Sequence, residues 1–131
     1  MKFKTSLLAT EFYGANLDAR LRAVILELDL QAARKFAQEL TITCVLRTPE
    51  EQAAFYPKNP KKPSRHLDRP SRAVDFRSLG LGSEVIDFLQ AHVKVWWPEF
   101  DFLINDRGAA NPHIHVEIDS IPTNKSKEVE A

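Results

Sequence analysis

Apolar residues along the chain change their period several times, and each change marks an element. Leu17, Leu21, Val24, Ile25 and Leu28 recur at helical intervals, and Leu30, Ala33, Phe36 and Ala37 continue a period near 3.6. The spacing predicts a long helix capped by Asn16, with Asp29 as a break within it. The run Leu40 to Leu46 alternates and is rich in β-branched residues, so it is predicted as a strand. Thr48, Pro49, Glu50 and Glu51 supply a cap, a first-position proline and an acidic first turn. They predict a short helix ending near Tyr56 and Pro57. Residues 57–71, rich in Pro, Lys and Arg, read as a loop.

Ala73 to Phe76 follows as a short strand. Ser83 is expected to cap a helix carrying Val85, Ile86, Phe88, Leu89, His92, Val93 and Trp96, which Trp97-Pro98 ends. Phe100 to Ile104 is a strand, Asn105 to Gly108 a turn, and His113 to Ile118 a last strand with clean alternation. The order is helix, strand, helix, strand, helix, strand, strand. It defines an α+β fold: a small antiparallel sheet with helices packed on one face. Residues 1–122 are expected to form a single domain, and 123–131 a disordered tail.

The length of 131 residues suits one domain able to bury its own core. Eighteen Lys and Arg balance eighteen Asp and Glu. The chain therefore has no overall attraction to nucleic acid, and no nucleic-acid partner is expected. A local basic cluster of Lys58, Lys61, Lys62, Arg65, Arg69 and Arg72 reads either as a solvated loop or as a patch facing an anionic polymer. No stretch reaches the ~20 apolar residues of a membrane span. The apolar part of residues 1–10 is too short for a signal-peptide core. The expectation is a cytoplasmic, monomeric product that would need separate delivery to any substrate outside the cell. Cys44, the only cysteine, reads as a small core residue. Any metal site is then expected to use histidine and carboxylate.

Four histidines bear on chemistry. His92 lies within an amphipathic helix and reads as structural. His113 and His115 alternate on one strand and so share a face, about 6.8 Å apart, with Glu117 continuing it and Ile114, Val116 and Ile118 on the other. Asp75 sits between Val74 and Phe76. A carboxylate there must be exposed, paired or metal-bound, because an unpaired buried charge is costly. Two imidazoles and a carboxylate with one open position form a catalytic zinc shell. Asp75 and the His113-x-His115 strand are candidates for such a shell, and the set expected to hold zinc, His66, Asp75 and His115, is completed by a family resemblance.

These residues resemble a family signature. Ser64-Arg65-His66, then Ser71-Arg72-Ala73-Val74-Asp75, then His113-Ile114-His115 follow the pattern Ser-x-His-x-x-Gly-x-Ala-x-Asp with a distant His-x-His. That pattern belongs to the zinc D-Ala-D-Ala carboxypeptidase and L-alanyl-D-glutamate endopeptidase family, which includes phage endolysins and has the Hedgehog domain as a fold relative. Arg47-Thr48-Pro49 resembles its Arg-Ser/Thr-Pro segment, and the likeness spans about residues 40–118. Two departures stand out. Ser71 replaces the signature glycine and lies two residues farther from His66, which leaves Asp68 as an alternative to Asp75. The positions three and six before His115, where relatives carry the general base, hold Pro112 and Ala109.

The resemblance implies a Hedgehog-like fold and a zinc hydrolase, of the kind phages encode, acting on cell-wall peptidoglycan peptides containing D-amino acids, of carboxypeptidase or endopeptidase type. Asp106 or Glu117 would serve as general base. His113 would hydrogen-bond the tetrahedral intermediate, and Arg47, with Ser64, would face the substrate. Three other readings compete. One is an inactive zinc-binding module of the same fold, acting in binding or phage structure. Another is a nuclease of the His-hydrophobic-His type, which usually places a tyrosine after the pair, whereas Tyr13 and Tyr56 both precede it. A cupin-like barrel would need a further histidine after His115, and there is none.

Overall fold

The structure is a computed structural model in which residues 1–105 and 112–119 are described. Among the described residues it is α+β, with four helices and a five-stranded sheet. The elements are β1 (Lys2–Phe3), α1 (Ser6–Tyr13), α2 (Ala19–Phe36), β2 (Thr41–Cys44), α3 (Pro49–Phe55), a 3₁₀ turn at Arg65–Leu67, β3 (Ala73–Arg77), α4 (Ser83–Trp96), β4 (Phe100–Asn105) and β5 (His113–Ile118). The sheet order is β1-β2-β3-β5-β4. All neighbours are antiparallel except β1, which runs parallel to β2.

The sheet is therefore mixed rather than purely antiparallel. Strand β1 is two residues long, too short to show a period. It is held by Lys2 N–H donating to Leu40 O (2.8 Å) and Lys4 N–H donating to Ile42 O (2.9 Å). The terminal ammonium of Met1 adds pairs with Glu39 at 2.9 Å and Asp29 at 3.4 Å. Helix α1 also lies outside the predicted elements. It is only eight residues long, with Thr5 capping it and Leu8 and Phe12 buried one turn apart.

The caps of two predicted helices are displaced. Asp18, not Asn16, caps α2, accepting from Arg20 N (2.9 Å) and Leu21 N (3.3 Å). Asn16 instead offers its carbonyl to Ser71 N at 2.7 Å. Helix α2 runs unbroken through Asp29, whose carboxylate turns out to accept Leu40 N at 2.9 Å. Helix α4 begins at Ser83 with Gly82 as its cap. Thr48 caps α3, as the sequence predicts, and in the structure it forms a full capping box with Glu51.

Helices α2 and α4 join the apolar face of the sheet in one hydrophobic cluster that includes Val24, Leu28, Phe76, Leu89, Ile114 and Val116. Alternation along β5 puts Ile114, Val116 and Ile118 into that core and His113, His115 and Glu117 on the opposite face. Helix α3 stands on that opposite, polar side, where Gln52 and Phe55 contact Arg47. No helix among the described residues is long and apolar enough to cross a membrane. The predicted tail at 123–131 lies outside the described residues.

Candidate metal centre

Register fixes the polar face. Asp75 on β3 is paired with His115 on β5, which is paired with Leu103 on β4. One step along lie Arg77, His113 and Asn105, and one step back Ala73, Glu117 and Asp101. Val74 and Phe76 are fully buried on the core side, so β3 is anchored from behind while Asp75 points the other way, with only 4% of its surface exposed.

His66 reaches Asp75 from the 3₁₀ turn. Ser64 caps that turn by accepting His66 N at 3.2 Å, so its hydroxyl shapes the backbone under His66. His66 Nε2 lies 3.1 Å from Asp75 Oδ1, and its Nδ1 lies 2.9 Å from Val45 O. His115 Nδ1 lies 2.7 Å from the same Asp75 oxygen, and its Nε2 lies 2.6 Å from Glu117 Oε1. The two rings meet edge to face, with centroids 5.1 Å apart. His113 Nε2 stands 3.8 Å from Asp75 Oδ2 and 3.4 Å from Asn105 Nδ2.

The predicted ligands His66, Asp75 and His115 are thus brought together. Asp68, the alternative to Asp75, pairs with Arg65 at 3.1 Å. Glu117 contacts His115 through Nε2, on the side of the ring away from Asp75. Asp106 lies outside the described residues.

Arg47 is tethered. Its Nη1 donates to Gln52 Oε1 at 2.8 Å, its Nη2 lies 3.6 Å from Cys44 Sγ and 3.9 Å from Asp75 Oδ2, and its guanidinium stacks on Phe55 at 4.8 Å. Its Nε is buried with no partner among the described residues. Gln52 is itself held, donating to Lys62 O at 2.8 Å. The arginines of the basic cluster brace the same region. Arg69 donates to His66 O (3.0 Å) and Arg47 O (3.2 Å), and Arg65 to Asp119 O (2.7 Å). Ser71, in place of the signature glycine, is fully buried and donates to Val45 O at 2.8 Å, the carbonyl that also faces His66.

Cys44 belongs to the site, contrary to the expectation that it is a core residue. Alternation would put it with Ile42 on the apolar face. The pairing slips between them, from Ile42 with Phe76 to Cys44 with Asp75, and this irregularity turns Cys44 to the polar face. Its Sγ lies 3.6 Å from His66 Nδ1. Ligand atoms of Cys44, His66 and Asp75 all lie within 4.8 Å of one another, a group that could hold a metal ion. The predicted set shares His66 and Asp75 with this group, but its third member His115, 2.7 Å from Asp75 Oδ1, is not part of it.

Without metal, the cluster is held by protons. Burial opposes charge on His66, but the adjacent Asp75 carboxylate outweighs it and raises the imidazole pKa to about 10. Burial would raise the Asp75 pKa, yet His66 and His115 hold it well below the usual carboxylate range. His115 is raised too: burial resists its charge, while hydrogen bonds to Asp75 and Glu117 prevail. Both rings therefore crowd onto one carboxylate oxygen, with His66 held in its charged form near neutral pH. A tetrahedral zinc with bonds of 2.0–2.1 Å separates its ligand atoms by about 3.3 Å. The 3.1 and 2.7 Å contacts to Asp75 are shorter than that spacing.

No family model matches the chain, and no curated protein or solved structure is significantly similar to it.

Proposed function

We propose that the chain is a zinc-dependent peptidase of the D-Ala-D-Ala carboxypeptidase and L-alanyl-D-glutamate endopeptidase type, with a Hedgehog-like fold, acting on peptidoglycan peptides. One observation carries the reading. Each histidine has its outer nitrogen engaged by an acceptor, Val45 O for His66 and Glu117 for His115, while its inner nitrogen faces Asp75. An acceptor behind each imidazole is how metal-ligating histidines are oriented. The donors are then His66 Nε2, Asp75 and His115 Nδ1. Cys44 approaches His66 from the Nδ1 side, already turned to Val45 O, and is the weaker third donor.

Two imidazoles and a carboxylate suit zinc and leave a fourth position open. When bound, zinc supplies the Lewis acidity that makes water nucleophilic near neutral pH and polarises a carbonyl. The protein's own groups do the rest. Glu117 and Val45 O fix the ring orientations. Arg47, pinned by Gln52, keeps positive charge beside Asp75 and adds to the field on a developing oxyanion. His113, on the same face and one step along β5, is placed to hydrogen-bond that oxyanion. A groove of about 710 Å³ reaches Asp75 and His113 and gives a peptide room to lie.

The test is digestion of purified peptidoglycan by the zinc-loaded protein, with released fragments identified by mass spectrometry and His115→Ala as control. A second reading is a zinc-binding module without turnover. It is favoured because the two carboxylates that contact the histidines among the described residues, Asp75 and Glu117, are already engaged by imidazole nitrogens. Bound zinc with no released fragment decides for it.

A further inference from the structure

The groove over Asp75 carries charge that the metal centre does not use. Its charged lining groups other than His113 are Lys4, Glu11, Arg47, Glu51, Asp75 and Arg77. Three of these are committed: Asp75 to the histidines, Arg47 to Gln52 and Asp75, and Glu51 to Thr48 N at 2.8 Å in the capping box. Lys4, Glu11 and Arg77 make no ion pair or side-chain hydrogen bond among the described residues. Two of the three are cations, so the unengaged charge of the groove is positive.

Arg77 is the better placed of the two. It lies two residues beyond Asp75 on β3, on the same face, and is the register partner of His113. Two strand residues span about 6.8 Å. A peptide laid along β3 with a carbonyl at Asp75 therefore brings a group one or two residues away under the guanidinium. A guanidinium matches a carboxylate with two parallel hydrogen bonds. Arg47, the arginine the sequence points to for this task, is held by Gln52 and Asp75. Exposed Leu7, Phe55 and Leu79 along the same groove offer apolar contact to short side chains.

We propose that Arg77 is the specificity-determining residue of this groove, selecting peptides that carry a carboxylate one or two residues from the bond placed at Asp75. The inference rests on the peptidase reading for the orientation of the peptide. The carboxylate has two sources, a chain terminus or an acidic side chain, and the probes separate them. N-acetyl-lysyl-D-alanyl-D-alanine is compared with its C-terminal amide, and L-alanyl-D-glutamyl-lysine amide with its D-glutaminyl analogue. Binding to the zinc-loaded full chain is measured by titration calorimetry, which does not require turnover.

The expected result is a preference of roughly 10- to 100-fold for the acid in one of the two pairs, the size of a charge-assisted hydrogen bond. Arg77→Gln abolishes that preference and Arg77→Lys keeps part of it, with zinc affinity and the unfolding midpoint unchanged. Absence of preference in the wild type, or a preference that Arg77→Gln retains, overturns the inference. Failure of the peptidase reading shows separately, as peptides that bind with the preference but are not cleaved.

Discussion

Glu117 Oε1 lies 2.6 Å from His115 Nε2, while the other nitrogen of the same ring lies 2.7 Å from Asp75 Oδ1. The carboxylate therefore stands behind the ligand rather than across from it. That position suits an orienting role and not proton transfer at the metal. Glu117→Ala is expected to weaken zinc binding on the order of 10- to 100-fold, the usual cost of losing such a support. Competition against a chromophoric chelator measures it. A variant that keeps full zinc affinity but loses turnover would instead make Glu117 the base.

Zinc binding should release protons. In the metal-free protein the Asp75 carboxylate raises the His66 pKa to about 10, so that ring is charged at pH 7, and hydrogen bonds to Asp75 and Glu117 raise His115 as well. A metal needs the neutral rings. Release of at least about one proton per zinc, from His66, is expected at pH 7, with apparent affinity rising as pH increases. Calorimetry in two buffers of different ionisation enthalpy gives the count, and a value near zero contradicts the geometry.

The same shifts set the pH profile of metal-free stability. His66 has a raised pKa, so its contribution is complete below about pH 6.5 and is lost as pH climbs toward about 10. Asp75 has a lowered pKa, so its contribution is present above about pH 4 and is lost as pH falls. A plateau between about pH 4 and 6.5 is expected, with a decline on the alkaline side that bound zinc removes. Urea unfolding across this range, with and without zinc, checks it.

Asp75 and Asp68 should behave very differently. Asp75→Asn leaves the buried His66 without its counter-charge and His115 with Glu117 alone, and breaking a buried pair in this way costs about 3–5 kcal/mol. Asp68 pairs with Arg65 at the partly exposed end of the 3₁₀ turn, and Asp68→Asn should cost under about 1 kcal/mol. Urea midpoints of the two metal-free variants compare them. Similar losses would mean that Asp75 is not the hub of the cluster.

The contrast shows what the sequence could reveal. Alternation in His113 to Ile118 fixed which groups share a face, because each inward neighbour is a β-branched core residue. Asp75, flanked by Val74 and Phe76, was legible for the same reason. The short pieces were not legible: β1 has two residues, and α1 only a pair of buried side chains one turn apart. Nothing local in the sequence shows that Gln52, five residues on, holds Arg47. Arg77 carries no local mark either, since its place depends on register with β5.

Cys44 was misplaced because a register slip has no signature in the strand Thr41–Cys44, and its position now permits a decisive substitution. Two donor sets share His66 and Asp75. If His115 is the third donor, Cys44→Ser should leave zinc affinity within about threefold of the wild type, whereas His115→Ala should lower it by more than the roughly 10- to 100-fold of a lost support. The reasoning is that His66 Nδ1, which faces Cys44, is turned to Val45 O at 2.9 Å, and Ser71 holds that carbonyl in place. A metal between Cys44 and Nδ1 would have to break that contact. Cobalt substitution gives an independent readout. The expected spectrum lacks a sulfur-to-cobalt charge-transfer band, and a band that Cys44→Ser removes would move the centre to the Cys44, His66 and Asp75 set.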